Sequence, residues 1–189
     1  MNLLLCALIC GAVVPTGQSK AQSLRVSAAE ESSVLLGRAA KEAKSHHKAI
    51  YVVFSASWCG GCQAYRQSFL GDPQLQKILS KYFIFVILDV QEKAGDKARE
   101  NPGAVDLMNK WAGLRPTLPF WAVLDGSAQL KGTGIDGSGQ SVAAPYESIG
   151  VGRYLRVLHT ANPRISTEDL WSLRRRILSP EFGRTKPSG

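Results

Sequence analysis

"SASWCGGCQAY", Ser55 to Tyr65, is the stretch on which the reading of the chain turns. Two cysteines, Cys59 and Cys62, stand two glycines apart. The run "AIYVVF" (Ala49 to Phe54) lies just upstream, β-branched and aromatic as a buried strand tends to be. Downstream, Tyr65 and Phe69 continue a helical face. The pair therefore falls between the end of a strand and the start of a helix. A helix start offers unpaired N–H groups and partial positive charge, so a thiolate placed there is stabilised. Cys59 is expected to be the exposed nucleophile. Cys62, one turn later on the same side, is expected to be the shielded thiol that resolves a mixed disulfide. Two blander readings compete. Zinc needs further ligands, and His46, His47 and His159 stand in no paired ligand spacing with another cysteine. A staple closing so short a loop stabilises little through chain entropy. Redox chemistry is the expectation, with no metal and no cofactor.

The N-terminus sharpens this. Of the 189 residues, Leu3 to Val14 form an apolar run of the length of a signal-peptide core, broken by Pro15 and Gly17. Ser19 and Ala21 supply small residues for cleavage after Ala21, although no Lys or Arg precedes the run. A lipid anchor on Cys10 and a buried first element are the alternatives. Cleaved export removes Cys6 and Cys10 from the four cysteines and leaves Cys59 and Cys62 alone. One pair makes no disulfide scaffold, so the core must be hydrophobic. Residues 1–21 are expected to be a signal peptide, 22–180 one domain and 181–189 a disordered tail. The location expected is periplasmic or otherwise exported. The net charge of +8 favours acidic surfaces; nucleic acid is not expected for an exported chain.

Along the chain, Ser27-x-x-Glu30 reads as a capping box for a helix from Ala28 to Ser45. Asp72-Pro73 caps and opens another, with Leu75, Ile78, Leu79 and Tyr82 as its stripe. "FIFVIL" (Phe83 to Leu88) is apolar throughout, as central parallel strands are. A polar segment follows, then a short helix from Ala104 to Trp111. "FWAVLDG" (Phe120 to Gly126) and "SAQLKGT" read as a hairpin, followed by a Gly-rich loop from Gly132 to Pro145. Two helices end the chain, with faces Val151, Tyr154, Leu155, Leu158 and Leu170, Leu173, Ile177, Leu178. Ser166-x-x-Asp169 starts the second and Pro180 stops it. The fold class is α/β with an antiparallel edge.

"FSASWCGGC" resembles the active-site segment of the thioredoxin-like family, Trp-Cys-x-x-Cys after a central strand. "SFLGDPQLQKILSKYFIFVILDV" is similar to a subgroup that includes the C-terminal domain of the thiol:disulfide interchange protein DsbD. The resemblance covers roughly Ala49 to Thr133. It implies a thioredoxin-like fold: a central mixed β-sheet flanked by helices, with an extra helix at each end. It also implies a cis-proline facing the dithiol. Pro116 and Pro119 compete; Pro119, directly before the strand, is chosen. The Leu118 backbone would then be free to pair with an extended substrate, and Trp58 would shield the cysteines and touch substrates. Two departures stand out. Many members carry a buried Asp where this chain has Val53. Gly60 and Gly61 replace the more usual inner residues, and with no His beside Cys59 a moderate reductant is expected rather than a strong oxidant.

The implied activity is protein-disulfide reduction, with disulfide-bearing client proteins and a thiol electron donor as partners and a monomer as the working form. The alternative is a binding module in which the Cys pair is non-catalytic. Two features tempt. Gly132-Thr133-Gly134-Ile135-Asp136-Gly137 matches a dinucleotide fingerprint by letter, but "SGQSVAAPY" is a poor helix start. Arg174, Arg175 and Arg176 suit a helix C-terminus, and these basic last helices are the place for any membrane-surface contact.

Overall fold

The computed structural model describes residues 30–113, 116–136, 138–142 and 148–182. The expected signal peptide and residues 183–189 of the expected tail lie outside them. Helix α1 is Ser32–Ser45, followed by strand β1, Ala49–Ser55. Helix α2 is Gly60–Tyr65, continued by a π-helical turn, Arg66–Leu70. Then come α3 (Pro73–Tyr82), β2 (Phe83–Asp89), a 3₁₀ segment (Ala94–Arg99) and α4 (Ala104–Ala112). The chain ends with β3 (Phe120–Leu124), β4 (Leu130–Thr133), α5 (Ser148–Ala161) and α6 (Thr167–Ile177).

The sheet order is β2-β1-β3-β4, with β1 parallel to β2 and antiparallel to β3. This is the expected mixed sheet with helices on both faces. β1 is buried along its whole length, and its alternation serves two cores. Ala49, Tyr51 and Val53 face α3, α5 and α6, where Phe69, Trp121, Tyr154 and Leu173 pack. Ile50, Val52 and Phe54 face α1 and α4, with Val86, Met108 and Phe120. β2 lies at the edge of the described sheet rather than at its centre, and reads as apolar because both of its faces are covered.

Three boundaries differ from the sequence reading. α1 begins at Ser32, not Ala28, and Glu30 is outside it. The Glu30 carboxylate instead takes two hydrogen bonds from Arg38, and its carbonyl accepts from Asn101 Nδ2, so the segment is tied to the turn before α4. Ser27 lies outside the described residues. The expected Gly-rich loop begins inside the sheet: Gly132 and Thr133 belong to β4, and Asp136 accepts from Ser138 N–H and Gln140 N–H. Phe182, expected to be in the tail, is buried edge-on against Phe69, so the core reaches two residues past Pro180.

The local start signals hold. Asp72 accepts from Gln74 N–H and Leu75 N–H at 3.0 and 2.9 Å, with Pro73 in the first turn. Ser166 Oγ accepts from Asp169 N–H at 3.0 Å. α6 is then fixed to α3 at both ends. Asp169 takes bonds from Lys81 Nζ and Tyr82 Oη, while Arg176 donates from Nε and Nη2 to Asp72. No helix among the described residues is long and apolar enough to cross a membrane.

Candidate active site

Cys59 and Cys62 are joined as a disulfide where β1 gives way to α2, their Cα atoms 5.2 Å apart. β1 ends at Ser55, and a tight turn follows in which Cys59 N–H donates to the Ala56 carbonyl at 3.2 Å. Cys59 then occupies the cap position of α2. Its sulfur accepts from Cys62 N–H at 3.1 Å, so the helix-start donor expected to stabilise a thiolate is aimed at this atom. Both cysteines are buried in this disulfide form, Cys59 at 7% and Cys62 at 1% exposure, so the nucleophile expected to be exposed is not open to solvent here and is only the less buried of the two.

The other expected residues gather here. The Leu118–Pro119 peptide is cis. Leu118 packs against the small cluster of Ala56, Cys59 and Cys62. Gly61 faces the same edge: a Cβ there would meet Pro119 Cδ at 3.6 Å and the Leu118 carbonyl at 3.9 Å. Gly60 faces open space. Trp58 is 47% exposed, with its ring fixed by an Nε1–H bond to the Gln91 carbonyl at 2.7 Å. Trp58, next to Cys59 in the chain, is therefore a half-open apolar surface and not a core aromatic.

Val53 is buried, and the place of a carboxylate behind the pair is filled by hydrocarbon. Acidic groups stand instead at the end of β2. Asp89 pairs in register with Ser55 and lies 3.6 Å from Arg66, one turn beyond Cys62. Burial pushes the Asp89 carboxyl up, Arg66 opposes this, and the nearby Glu92 charge adds to the rise. Glu92 itself is buried and bonded to Ser57. Sequence reasoning passed over both acids; a polar run after a strand reads as solvated loop, and only the Asp-Val ending of β2 marked the place.

Residues away from this edge play other parts. His46 ends α1, His47 adopts φ 54° beside it, and His159 is on α5. Among the described residues no three of His, Cys, Asp and Glu cluster as a metal site would need. In the fingerprint-like run, Gly132 lies under Val157 and Gly134 under Trp121, so both serve close packing of a strand end. Gly137 lies outside the described residues.

Residues 35–126 match the model of a thioredoxin-like family. The fold is thioredoxin-like. Solved structures similar to this chain include a disulphide isomerase from Xylella fastidiosa Temecula1, at 19% identity, covering 82% of this chain and 98% of that one, with a TM-score of 0.47. Others are a DsbH oxidoreductase (17%, 72% and 90%, TM-score 0.46) and the oxidised C-terminal domain of Neisseria meningitidis DsbD (17%, 57% and 84%, TM-score 0.40). None is close enough to lend this chain its substrate or direction. No curated protein matches the sequence. A thioredoxin-like domain with a Cys pair at this position is suited to disulfide exchange.

Proposed function

We propose that the protein is an exported thiol:disulfide oxidoreductase that reduces disulfides in envelope proteins. The observation that carries this is the Cys59 sulfur: it caps α2, accepts the Cys62 N–H and sits beside the Leu118–Pro119 edge. In the reduced protein the Cys59 thiolate attacks one sulfur of a client disulfide. A Cys59–client bond forms, and the other client sulfur leaves as a thiolate and takes a proton. The Cys62 thiolate then attacks Cys59 Sγ and expels the second client thiol. The client gains two electrons, and the Cys59–Cys62 bond forms at their expense. A dithiol donor must then reduce that bond. Leu118 N–H and carbonyl find no partner among the described residues, which suits them to pair with an extended client segment. Trp58 offers the apolar contact.

Export rests on the run Leu3 to Val14 and the small residues before position 22. The test is trapping in the full chain. Cys62→Ser should accumulate mixed disulfides with client proteins through Cys59, while Cys59→Ser should not. Traps formed only by Cys59→Ser would reverse the roles. A Cys59 thiol no more reactive than a free thiol near neutral pH would favour the binding-module reading. The exposed Arg156, Arg175 and Trp171 of α5 and α6 are where contact with an anionic membrane would fall. Failure to co-sediment with anionic vesicles at low salt would remove that contact.

A further inference from the structure

Glu92 follows β2 in a polar segment, yet it is only 3% exposed. Both of its oxygens are committed to one residue. Oε1 accepts from Ser57 N–H and Oε2 from Ser57 Oγ–H, each at 2.6 Å. Ser57 belongs to the turn that Cys59 N–H closes onto Ala56. The neighbouring residue serves the same turn: Gln91, at φ 53°, gives its carbonyl to Trp58 Nε1–H. Gln91 N–H is held by Glu100 Oε1 at 2.6 Å, and Glu100 is paired with Lys97. From the other side, Gln63 Nε2 donates to the Ser57 carbonyl at 3.2 Å. Successive residues after β2 thus grip successive residues before Cys59.

A neutral amide could still accept from Ser57 N–H, with the Ser57 hydroxyl turned to accept from the amide N–H, whereas a buried carboxylate carries a large desolvation cost. The charge therefore calls for a role. Among the described residues no cation pairs with Glu92. Arg66 lies against Asp89, and Lys97 against Glu100. A fixed negative charge near a thiol disfavours the thiolate. Destabilising the thiolate weakens the reduced state and makes a dithiol a better electron donor, the converse of a strongly oxidising pair with a low thiol pKa.

We propose that Glu92 is a positioning residue for the dithiol: it holds the Ser57–Trp58 turn that presents Cys59, and its charge behind that turn keeps the pair on the reducing side. The proposal rests on the exchange reading above and deepens it by giving a source for the direction.

The test uses the full chain as wild type, Glu92→Gln, Glu92→Ala and Ser57→Ala. Gln keeps an acceptor for Ser57 N–H and reverses the bond to Ser57 Oγ, so the turn stays held while the charge is lost. The measurements are the pH profile of Cys59 alkylation by iodoacetamide and the dithiol:disulfide ratio in glutathione buffers. Glu92→Gln should move the alkylation profile to lower pH and shift the equilibrium toward dithiol by about threefold or more. Glu92→Ala should do the same and also disturb Trp58 fluorescence. Ser57→Ala, which keeps the charge and one bond, should leave the alkylation profile near that of wild type. A Glu92→Gln protein with the wild-type profile and ratio overturns the proposal and leaves Glu92 merely structural. In the wild-type chain, the ¹³C signal of the Glu92 carboxyl should move as Cys59 titrates; a signal that ignores that titration overturns it even if the variants fail to fold. A Cys62→Ser chain that traps no client through Cys59 sinks the exchange reading, while the comparison of profiles still judges Glu92.

Discussion

Asp72→Ala tests how the C-terminal helices are held to the thioredoxin-like domain. The Asp72 side chain is almost fully buried and does two jobs. Its Oδ1 caps α3 through Gln74 N–H and Leu75 N–H, and its Oδ2 receives the Arg176 fork from α6. Loss of a cap costs about 1 kcal/mol. Breaking a buried ion pair from one side costs about 3–5 kcal/mol, because the remaining charge is stranded. The Arg176 side chain is 18% exposed, and its Nη1 keeps Ser179 Oγ at 3.2 Å and the exposed Glu181 carboxylate at 3.9 Å, so the lower end of that range applies. The sum is about 4 kcal/mol. Asp72→Asn keeps a good cap and should cost about half as much. Adding Arg176→Met to Asp72→Ala removes the stranded charge, and the double mutant should be more stable than additivity allows by about 1.5 kcal/mol or more. Urea unfolding near neutral pH, with the disulfide intact, measures all four proteins. A loss below about 1 kcal/mol for Asp72→Ala, or additive single effects, would refute the reasoning.

Acid should loosen the same contact. For both Asp72 and Asp169, burial pushes the carboxyl up, but Arg176 with the α3 N–H groups, and Tyr82 with Lys81, outweigh it, so both lie below the ordinary value of 3.8. Carboxyls lowered by folding add stability that is fully present above that value and is lost as pH falls through their folded values. Melting temperatures between about pH 6 and pH 2 should fall on the acid side, less steeply in Asp169→Asn; an equally steep limb in that variant would count against the pairing. Gly134→Ala would put a Cβ 2.8 Å from Trp121 Nε1 and 2.9 Å from the Val142 carbonyl, and should cost about 1–3 kcal/mol by thermal or chemical unfolding. A neutral result there would show that this turn can shift. Tyr154 Oη is buried with the Tyr51 hydroxyl near it but no hydrogen bond of normal geometry among the described residues, so Tyr154→Phe should be close to neutral. Tyr51→Phe breaks the 2.8 Å bond to Tyr65 and should cost about 1 kcal/mol; the reverse order of the two would be fatal to this account.

What the chain reveals on its own surface divides along sequence distance. The Asp72-Pro73 start and the Ser166 cap were legible because each is a local pattern whose physics is complete within a few residues, whereas the choice of Pro119, before which the peptide is cis, came from the family resemblance. The α1 start was misplaced for the opposite reason. Ser27-x-x-Glu30 satisfies the local rule, yet Glu30 is drawn to Arg38 and its carbonyl to Asn101, a residue 71 positions away. Arg176 shows both sides in one residue. Its place late on α6 suits the helix dipole, which is readable, whereas its bond to Asp72 spans 104 positions and is not.

Glu92 is the sharpest case, since its local context argues for solvent. Lys93, Asp96 and Lys97 around it are exposed, and the 3₁₀ segment that follows buries nothing. Burial comes from the sheet. Ser55 and Asp89 end their strands in register, so the residues after β2 must lie beside the residues after β1. Val90 N–H closes onto the Ser55 carbonyl, and two residues further Glu92 meets Ser57. A parallel pair therefore brings whatever follows its second strand up against whatever follows its first. In this chain the first strand is followed by the dithiol. Val53 is buried hydrocarbon on the strand itself, and the buried carboxylate, Glu92, comes from the neighbouring segment to hold the turn that leads into Cys59.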